Sequence, residues 1–435
     1  DHTDYSNLRL RDATTTVESL MDRAIELGQT VLAYTEHETV ANAIRIEKYY
    51  NKIKKDHPDF KVIRGNEIYL CRDGLNGQNF IRGQDKYYHF ILLAKDAEGH
   101  EQIRELSTRA WMRSYSAQGL TRVPTYYSDL IEVIGNNRGH VIGSTACVGG
   151  WLGQTLYQYE KESHDSQIWQ HINDWLNSMI KLFGEGNFFL EMQPGTSEIQ
   201  KITNKYILQL SAQLNIPYII TCDTHYLRAE DRPIHEAFLK SQSGDRETSD
   251  FYESTYLMET NEIEQRMSDY MTADDFQYAY QNIIDNSLLK PLHIPSMPWK
   301  KPKGLNIDWN FYEAKIPYMK TFHESAFDGD RLLAQIVCEK IESDPRLQTD
   351  EIYDEVNGNL ESTWISSEVN KTHWSAYFLN LQGYIDVCWN AGSLVGPGRG
   401  SGVGFILLYL LDIIQINPKW ETTPTYSWRF LNPNR

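Results

Sequence analysis

Ile216-Pro217-Tyr218-Ile219-Ile220-Thr221-Cys222-Asp223-Thr224-His225 is the stretch on which the reading of this chain turns. Ile216–Thr221 is short, apolar and rich in β-branched residues, the signature of a buried strand. A carboxylate, Asp223, and an imidazole, His225, follow at its C-terminal end. The same arrangement recurs upstream. Strand-like runs stand at Val31–Thr35, Lys61–Leu70, Tyr87–Ala94, His140–Ser144 and Asn187–Gln193. Helical patterns separate several of them, at Val17–Leu27, Val40–Lys54, Gly99–Trp111, Ile168–Phe183 and Ser197–Leu214. With a first strand at or before Asp1, this makes about seven β/α units, an α/β pattern of barrel type.

Chemistry-bearing side chains recur where these strands end. His2 and Asp12 flank the first strand-to-helix turn, and His37 follows Val31–Thr35. Glu67 closes Lys61–Glu67, His89 lies at the start of the next run, and Cys147 follows His140–Ser144. In a β/α barrel the C-terminal strand ends open onto one face, so groups far apart in sequence converge there. Any one of these histidines alone reads as a surface or hydrogen-bonded core residue, and a lone Cys147 as a small apolar one. Gathered near strand ends, the set reads as a metal site. Imidazole, carboxylate and thiolate suit Zn²⁺, Mn²⁺ or Fe²⁺ rather than Ca²⁺ or Mg²⁺ alone. Such metals convert water to hydroxide near neutral pH and clamp a phosphodiester, which points to phosphate-ester hydrolysis. His57, His100, His140, His164, His171, His293, His323 and His373 fit no such pattern and read as structural; His235 is ambiguous.

The alternation fades after the last strand. Asn261–Ser268 and Ala273–Asn286 read as helices. Pro291, Pro295, Pro298 and Pro302 then mark a linker or extended crossing. A second, mostly helical domain runs to Trp389 and ends in Gly396-Pro397-Gly398-Arg399-Gly400-Ser401-Gly402-Val403-Gly404 before an apolar helix. Free backbone N–H groups in such a loop, with a helix N-terminus behind them, can cradle an anion. Arg399 adds a fork suited to phosphate, and Ser401 either a phosphate contact or a helix cap. The loop alone could equally be a tight turn; it is neither a Walker loop nor a dinucleotide fingerprint.

Composition sets bounds. The 435 residues are 41% hydrophobic, enough for two or three cored domains, and no apolar run is long enough to cross a membrane. The longest, Phe405–Ile416, has the length of a buried helix and carries Asp412. Five cysteines, widely spaced, fit a reducing compartment better than a disulfide framework. A net charge of -17 argues against a general nucleic-acid-binding surface. The chain opens without Met and ends on Arg429–Arg435, which reads as the middle of a motif, so a piece of a longer protein is expected.

His2-Thr3-Asp4-Tyr5-Ser6 resembles the opening motif of PHP (polymerase and histidinol phosphatase) domains, and Thr35–Glu38, Gly65–Tyr69 and Cys222–Leu227 resemble later motifs of that family. The strings from His89 to Lys95, 144–150 and 223–231 are similar to the PHP domain of the bacterial, family C DNA polymerase III alpha subunit. Gly396–Ser401, the following LLYLLDIIQINP, Arg429–Pro433 and Ala376–Leu379 resemble the start of that family's β-nucleotidyltransferase-like palm. The resemblance implies a PHP (β/α)7 barrel over 1–288 and the N-terminal part of the palm over 289–435. The metal ligands it implies are His2, Asp12, His37, Glu67, His89, Cys147, Asp223 and His225, with a further histidine expected before Asp1. It implies nucleotide binding by Gly398, Arg399, Gly400, Ser401 and Gly402, with the polymerase aspartates beyond Arg435.

The expected activity is that of a replicative DNA-directed DNA polymerase carrying a metal-dependent phosphoesterase or 3′–5′ exonuclease. Zn or Mn is expected in the PHP domain and Mg for polymerisation. The expected partners are primer-template DNA, dNTPs, and a sliding clamp with other replisome proteins, in the cytoplasm of a bacterial cell or phage-infected host and with no membrane. A stand-alone PHP phosphatase is the alternative, and an inactive, scaffolding PHP domain a third reading. Three departures from the family pattern stand out. Asp12 lies further from His2 than is usual, Glu36-His37-Glu38 replaces Asp-His-Gly, and Phe405 replaces a small residue.

Overall fold

Among the described residues, nine strands lie in the first half of the chain: β1 Val31–Tyr34, β2 Lys61–Cys71, β3 Tyr88–Ala94, β4 Tyr115–Ala117, β5 Leu120–Arg122, β6 Pro124–Tyr126, β7 Val141–Ser144, β8 Phe188–Met192 and β9 Tyr218–Ile220. The structure, a computed structural model, describes residues 1–73, 79–82, 84–117, 120–241, 250–286, 299–423 and 425–433. The residues separate into two compact units, 1–294 and 295–435. Of the prolines read as a linker, Pro291, Pro295 and Pro298 lie outside the described residues, as does His293.

In the first unit the main sheet runs β1-β2-β3-β7-β8-β9, with β6 added beside β2, and β4 and β5 form a separate hairpin. β1 pairs parallel with β2, and β7, β8 and β9 are parallel to one another. β3 is antiparallel to both its neighbours, β2 and β7. The simple β/α alternation is therefore broken between β2 and β3, with no helix among the described residues that connect them, and again where β4, β5 and β6 follow one another. The physical consequence is useful: a reversed strand presents its N-terminal end on the face where the others present their C-terminal ends. His89, second residue of β3, reaches the common face for this reason.

Strands buried on both faces and helices with one apolar stripe explain the packing. Every residue of β7 and β8 is buried. Helix 166–183 buries Ile172, Trp175, Leu176, Met179 and Phe183. Phe183 stacks on Phe90 and Phe188, and a Cβ on Gly143 would stand 2.7 Å from its ring. Only glycine there lets the helix approach the strand so closely.

The first loop is clamped by one buried carboxylate. Glu36 accepts from the Thr3 N–H at 2.8 Å, the Ser6 hydroxyl at 2.6 Å, the Asn42 amide at 2.7 Å and the Thr3 hydroxyl. Glu36 thus ties residues 3–6 to the end of β1. Hydrogen bonds to a charged group are worth about 1.5–3 kcal/mol each, and orphaned donors cost more. Glu36→Ala should lower stability by about 3 kcal/mol, read as a shifted urea midpoint. An unchanged midpoint would show that the clamp is idle.

The second unit is helical among its described residues, with helices 309–315, 317–323, 328–342, 350–370, 374–390 and 406–410. The apolar run Phe405–Ile416 forms only the short helix Ile406–Leu410, not a helix of its own full length. Asp412 breaks it by taking a left-handed conformation, φ 57°, with its carboxylate on Lys340 at 2.5 Å. Phe405 is fully buried and packs on Phe378 and Phe430, with ring centroids 5.7 and 5.2 Å apart. The large residue is thus accommodated by two aromatic neighbours. No described helix is long and apolar enough to cross a membrane, and all five cysteines are free thiols.

Candidate metal centre

Three strand ends turn sharply next to the side chains of interest. Glu38, after His37, has φ 53°; Ala146, before Cys147, has φ 59°; Asp223 itself has φ 49°. Left-handed backbone at non-glycine residues is strained, and such strain gathers at functional sites. It also explains why glycine suits the position of Glu38. Here the Glu38 carboxyl is buried, accepts the Tyr69 N–H at 2.7 Å, and is pushed up to about 8 by its burial.

The turns bring eight side chains together. His37 Nδ1 lies 3.0 Å and His89 Nδ1 2.8 Å from Glu67 Oε1, and Cys147 Sγ lies 3.4 Å from His89. His2 Nε2 is 3.0 Å from Asp223 and 3.6 Å from Glu67. His37 Nε2 is 3.3 Å and His225 Nε2 3.7 Å from the Asp12 carboxylate. His2 stacks on His37 with centroids 4.0 Å apart. Three overlapping groups have ligand atoms mutually within 4.8 Å: His2, His37 and His225; Glu67, His89 and Cys147; and His2, Glu67 and Asp223. All but Asp223 and His89 are buried.

Two findings differ from the sequence reading. Glu67 does not end its strand, because β2 continues to Cys71. It reaches the site because the chain after β1 keeps pairing with it: the Glu67 N–H donates to Glu36 and the Glu38 N–H donates to Glu67. Asp12 reaches the site despite its long spacing because residues 8–11 bulge outward. Asn7 closes the neck of this bulge, accepting from the Asp12 and Ala13 N–H groups at 3.0 and 3.2 Å and donating to the Ala13 carbonyl at 2.9 Å.

Outer partners fix which ring nitrogen faces inward. The Ser6 hydroxyl gives its single proton to Glu36, so His2 Nδ1 must donate to Ser6 at 3.0 Å. His225 Nδ1 donates to the Asp223 carbonyl at 2.7 Å, and His37 Nδ1 faces Glu67. His2 and His225 thereby turn Nε2 inward, as metal-binding histidines do, while His37 lies between two donors of the site, with Nδ1 on Glu67 and Nε2 on Asp12. Motif reading did not single out Ser6, although it stands in the first motif. Tyr69, which contacts His37 at 3.2 Å, also belongs to a quoted stretch. Tyr252, whose hydroxyl donates to Asp12 at 3.3 Å, carries no sequence signal at all. His235 resolves as a support: its Nε2–H donates to the Asp12 carbonyl at 2.5 Å.

Protonation follows the packing. Burial works against charge, yet the neighbouring His37 and His225 hold Asp12 well below the usual carboxylate range. Asp223 falls to about 2 against the same burial through His225 and His2. Burial disfavours charge on His2, but Asp223 and Glu67 outweigh it and raise the ring to about 10. Burial lowers His225 to about 4, and burial together with the nearby carboxylates raises the Cys147 thiol. The site thus concentrates carboxylate charge around its imidazoles, which favours protonation of His2 and His37 while burial disfavours it at His225. Asp12 Oδ1 and His37 Nε2 are buried and face each other at 3.3 Å, with no further partner. Such a contact leaves much of their hydrogen-bonding capacity unused. Together with the N, O and S donor set, it fits a divalent metal. Beneath them an apolar cavity of about 260 Å³ reaches Glu67, Cys147 and Asp223 and is lined by Ile63, Leu93 and Ile142.

Residues 2–195 match the PHP domain family, and residues 332–435 match the bacterial DNA polymerase III alpha NTPase domain. The chain is a PHP domain joined to a polymerase III alpha segment. A DNA-directed DNA polymerase of Bacillus phage SPbeta is 36% identical, covering 100% of this chain and 35% of the relative. DNA polymerase III subunit alpha of Aquifex aeolicus is 25% identical over 100% of this chain and 34% of its own length, and that of Treponema pallidum 24% identical over 99% and 33%. The chain therefore spans about a third of the length of these relatives. Six of the eight donors lie within the residues matched to the PHP family, while Asp223 and His225 lie beyond them. The polymerase III alpha segment disfavours a stand-alone phosphatase.

In the polymerase III alpha segment the glycine loop is exposed. Gly398 takes φ 144° and a short 3-10 turn spans Gly400–Gly404. Ser401 caps no helix, since the next begins at Ile406 behind Phe405 without a side-chain cap. Arg399 is exposed and makes no ion pair among the described residues.

Proposed function

We propose that the PHP domain is a metal-dependent phosphodiesterase acting as a 3′–5′ exonuclease on DNA, within a DNA-directed DNA polymerase. The observation that supports this best is the convergence of eight N, O and S donors, among them Asp12 Oδ1 and His37 Nε2, buried 3.3 Å apart with no further partner. Asp12, Glu67 and Asp223 supply charge, His2, His37, His89 and His225 imidazole nitrogen of the kind Zn²⁺ and Mn²⁺ accept, and Cys147 a soft donor that favours Zn²⁺ over Mg²⁺. A metal bound there supplies an activated water and a clamp on phosphate oxygens. Ser6, Tyr69 and His235 hold the donors in place.

We assign residues 1–288 to the PHP domain and 289–435 to the first part of the palm. There Gly398, Arg399, Gly400, Ser401 and Gly402 hold the triphosphate of a dNTP, and Mg serves polymerisation. Primer-template DNA, dNTPs, and a sliding clamp with other replisome proteins are the partners, in the cytoplasm of a bacterial cell or infected host. Elemental analysis of protein purified in Zn²⁺ or Mn²⁺ tests the first half. Two or more ions per chain are expected, and fewer than one would remove the reading.

A further inference from the structure

We propose that Arg9 is the phosphate anchor of a single-stranded nucleic-acid cleft that opens beside His89. The inference rests on the phosphodiesterase reading of the neighbouring centre and names how its substrate is held. Arg9 stands in the bulge that lengthens the spacing between His2 and Asp12. It is only 5% exposed, and its Nε and Nη2 are buried with no hydrogen-bond partner. Its guanidinium lies flat over the Tyr69 ring, 3.7 Å from the centroid, and makes no ion pair among the described residues. A buried guanidinium carries five donors in a fixed fork, and leaving them unpaired is expensive unless a ligand fills them. The face of Tyr69 holds the group in place without consuming those donors.

Arg9 lines a cleft of about 450 Å³, the size of a ligand site. Lys86, Arg122, Tyr87 and Tyr88 line the same cleft, and its inner end is His89 of the candidate centre. No carboxylate lines it, although the chain has 59 acidic residues against 42 basic ones. Arg122 lies over the Tyr87 ring at 5.5 Å. Cations spaced along a groove and interleaved with aromatic rings suit a strand of phosphates and bases, whereas a lone phosphate would use only Arg9. The cleft thus answers the objection raised by the net charge: the chain needs one local cationic path, not a basic surface.

The test is fluorescence anisotropy of a labelled single-stranded oligothymidylate with the full chain, over a range of salt and with and without chelator. Metal content and hydrolysis of bis(p-nitrophenyl) phosphate are measured on the same samples. Arg9→Gln should weaken binding about tenfold or more and flatten the dependence of log Kd on log salt by about one phosphate contact. Metal content should not change. Arg9→Lys should restore part of the affinity, since it keeps charge but not the fork. Lys86→Glu, at an exposed residue, should weaken binding about threefold or more. A salt slope unmoved in both variants, or a wild-type chain that binds the oligonucleotide no better than thymidine monophosphate, overturns the proposal. Failure of the metal reading would appear separately, as missing metal and missing hydrolysis with strand binding intact.

Discussion

Asp223→Asn is expected to cost at least tenfold in phosphodiester hydrolysis and to lower bound metal, with His225→Ala doing the same. Asp223 is central because two groups use it at once: its carboxylate faces His2 at 3.0 Å, and its carbonyl accepts from His225 at 2.7 Å. Asparagine keeps the shape and the carbonyl but removes the charge. The His2 ring, raised to about 10 partly by that carboxylate, loses its main partner, and the donor set loses an anion. A weakened ligand typically costs about 10–100-fold in metal affinity or activity. In His225→Ala the Asp12 carboxylate loses one of its two facing imidazoles. Chelator should abolish the activity of the wild-type chain. Hydrolysis that survives both substitutions and chelation would place the chemistry elsewhere.

Arg399→Ala, in a polymerase carrying this chain, is expected to weaken dNTP use by roughly ten- to a hundredfold. A charge-assisted contact to phosphate is worth about 1.5–3 kcal/mol, and about 1.4 kcal/mol is a factor of ten. The loop's form favours this role. Arg399 is exposed and unpaired with any described carboxylate, so no structural partner is lost on truncation. Gly398 at φ 144° shapes a backbone that other residues rarely adopt. The substitution should leave metal content and hydrolysis by the PHP domain unchanged, because the loop lies in the other unit. Unchanged nucleotide incorporation by the variant would mean that the loop is only a turn.

Much of this was legible in the sequence because it is local. Buried strands and one-sided helices write their periodicity into consecutive residues, so helix Ser166–Phe183 and strand Val141–Ser144 appear within a few residues of their expected ends. Candidate donors such as His37, Cys147, Asp223 and His225 were legible because they follow strands whose ends share a face, whereas Glu67 lies within β2 and His89 near the start of a reversed strand. What the sequence left undecided depends on contacts between distant segments. The reversal of β3, which carries His89 to the site, is a matter of which edge pairs with which. The recovery of Asp12 depends on Asn7 closing a bulge, and the role of Glu36 on four donors drawn from three places. Tyr252 and Arg9 acquire meaning only by what they face: Asp12 for the one, the Tyr69 ring and an acid-free cleft for the other. Consecutive residues settle which donors the chain owns and near which strands they stand. Which ring nitrogens turn inward, which buried atoms lack further partners, and where a cationic path opens in an acidic chain follow from the fold, because burial and hydrogen-bond pairing exist only once distant segments meet.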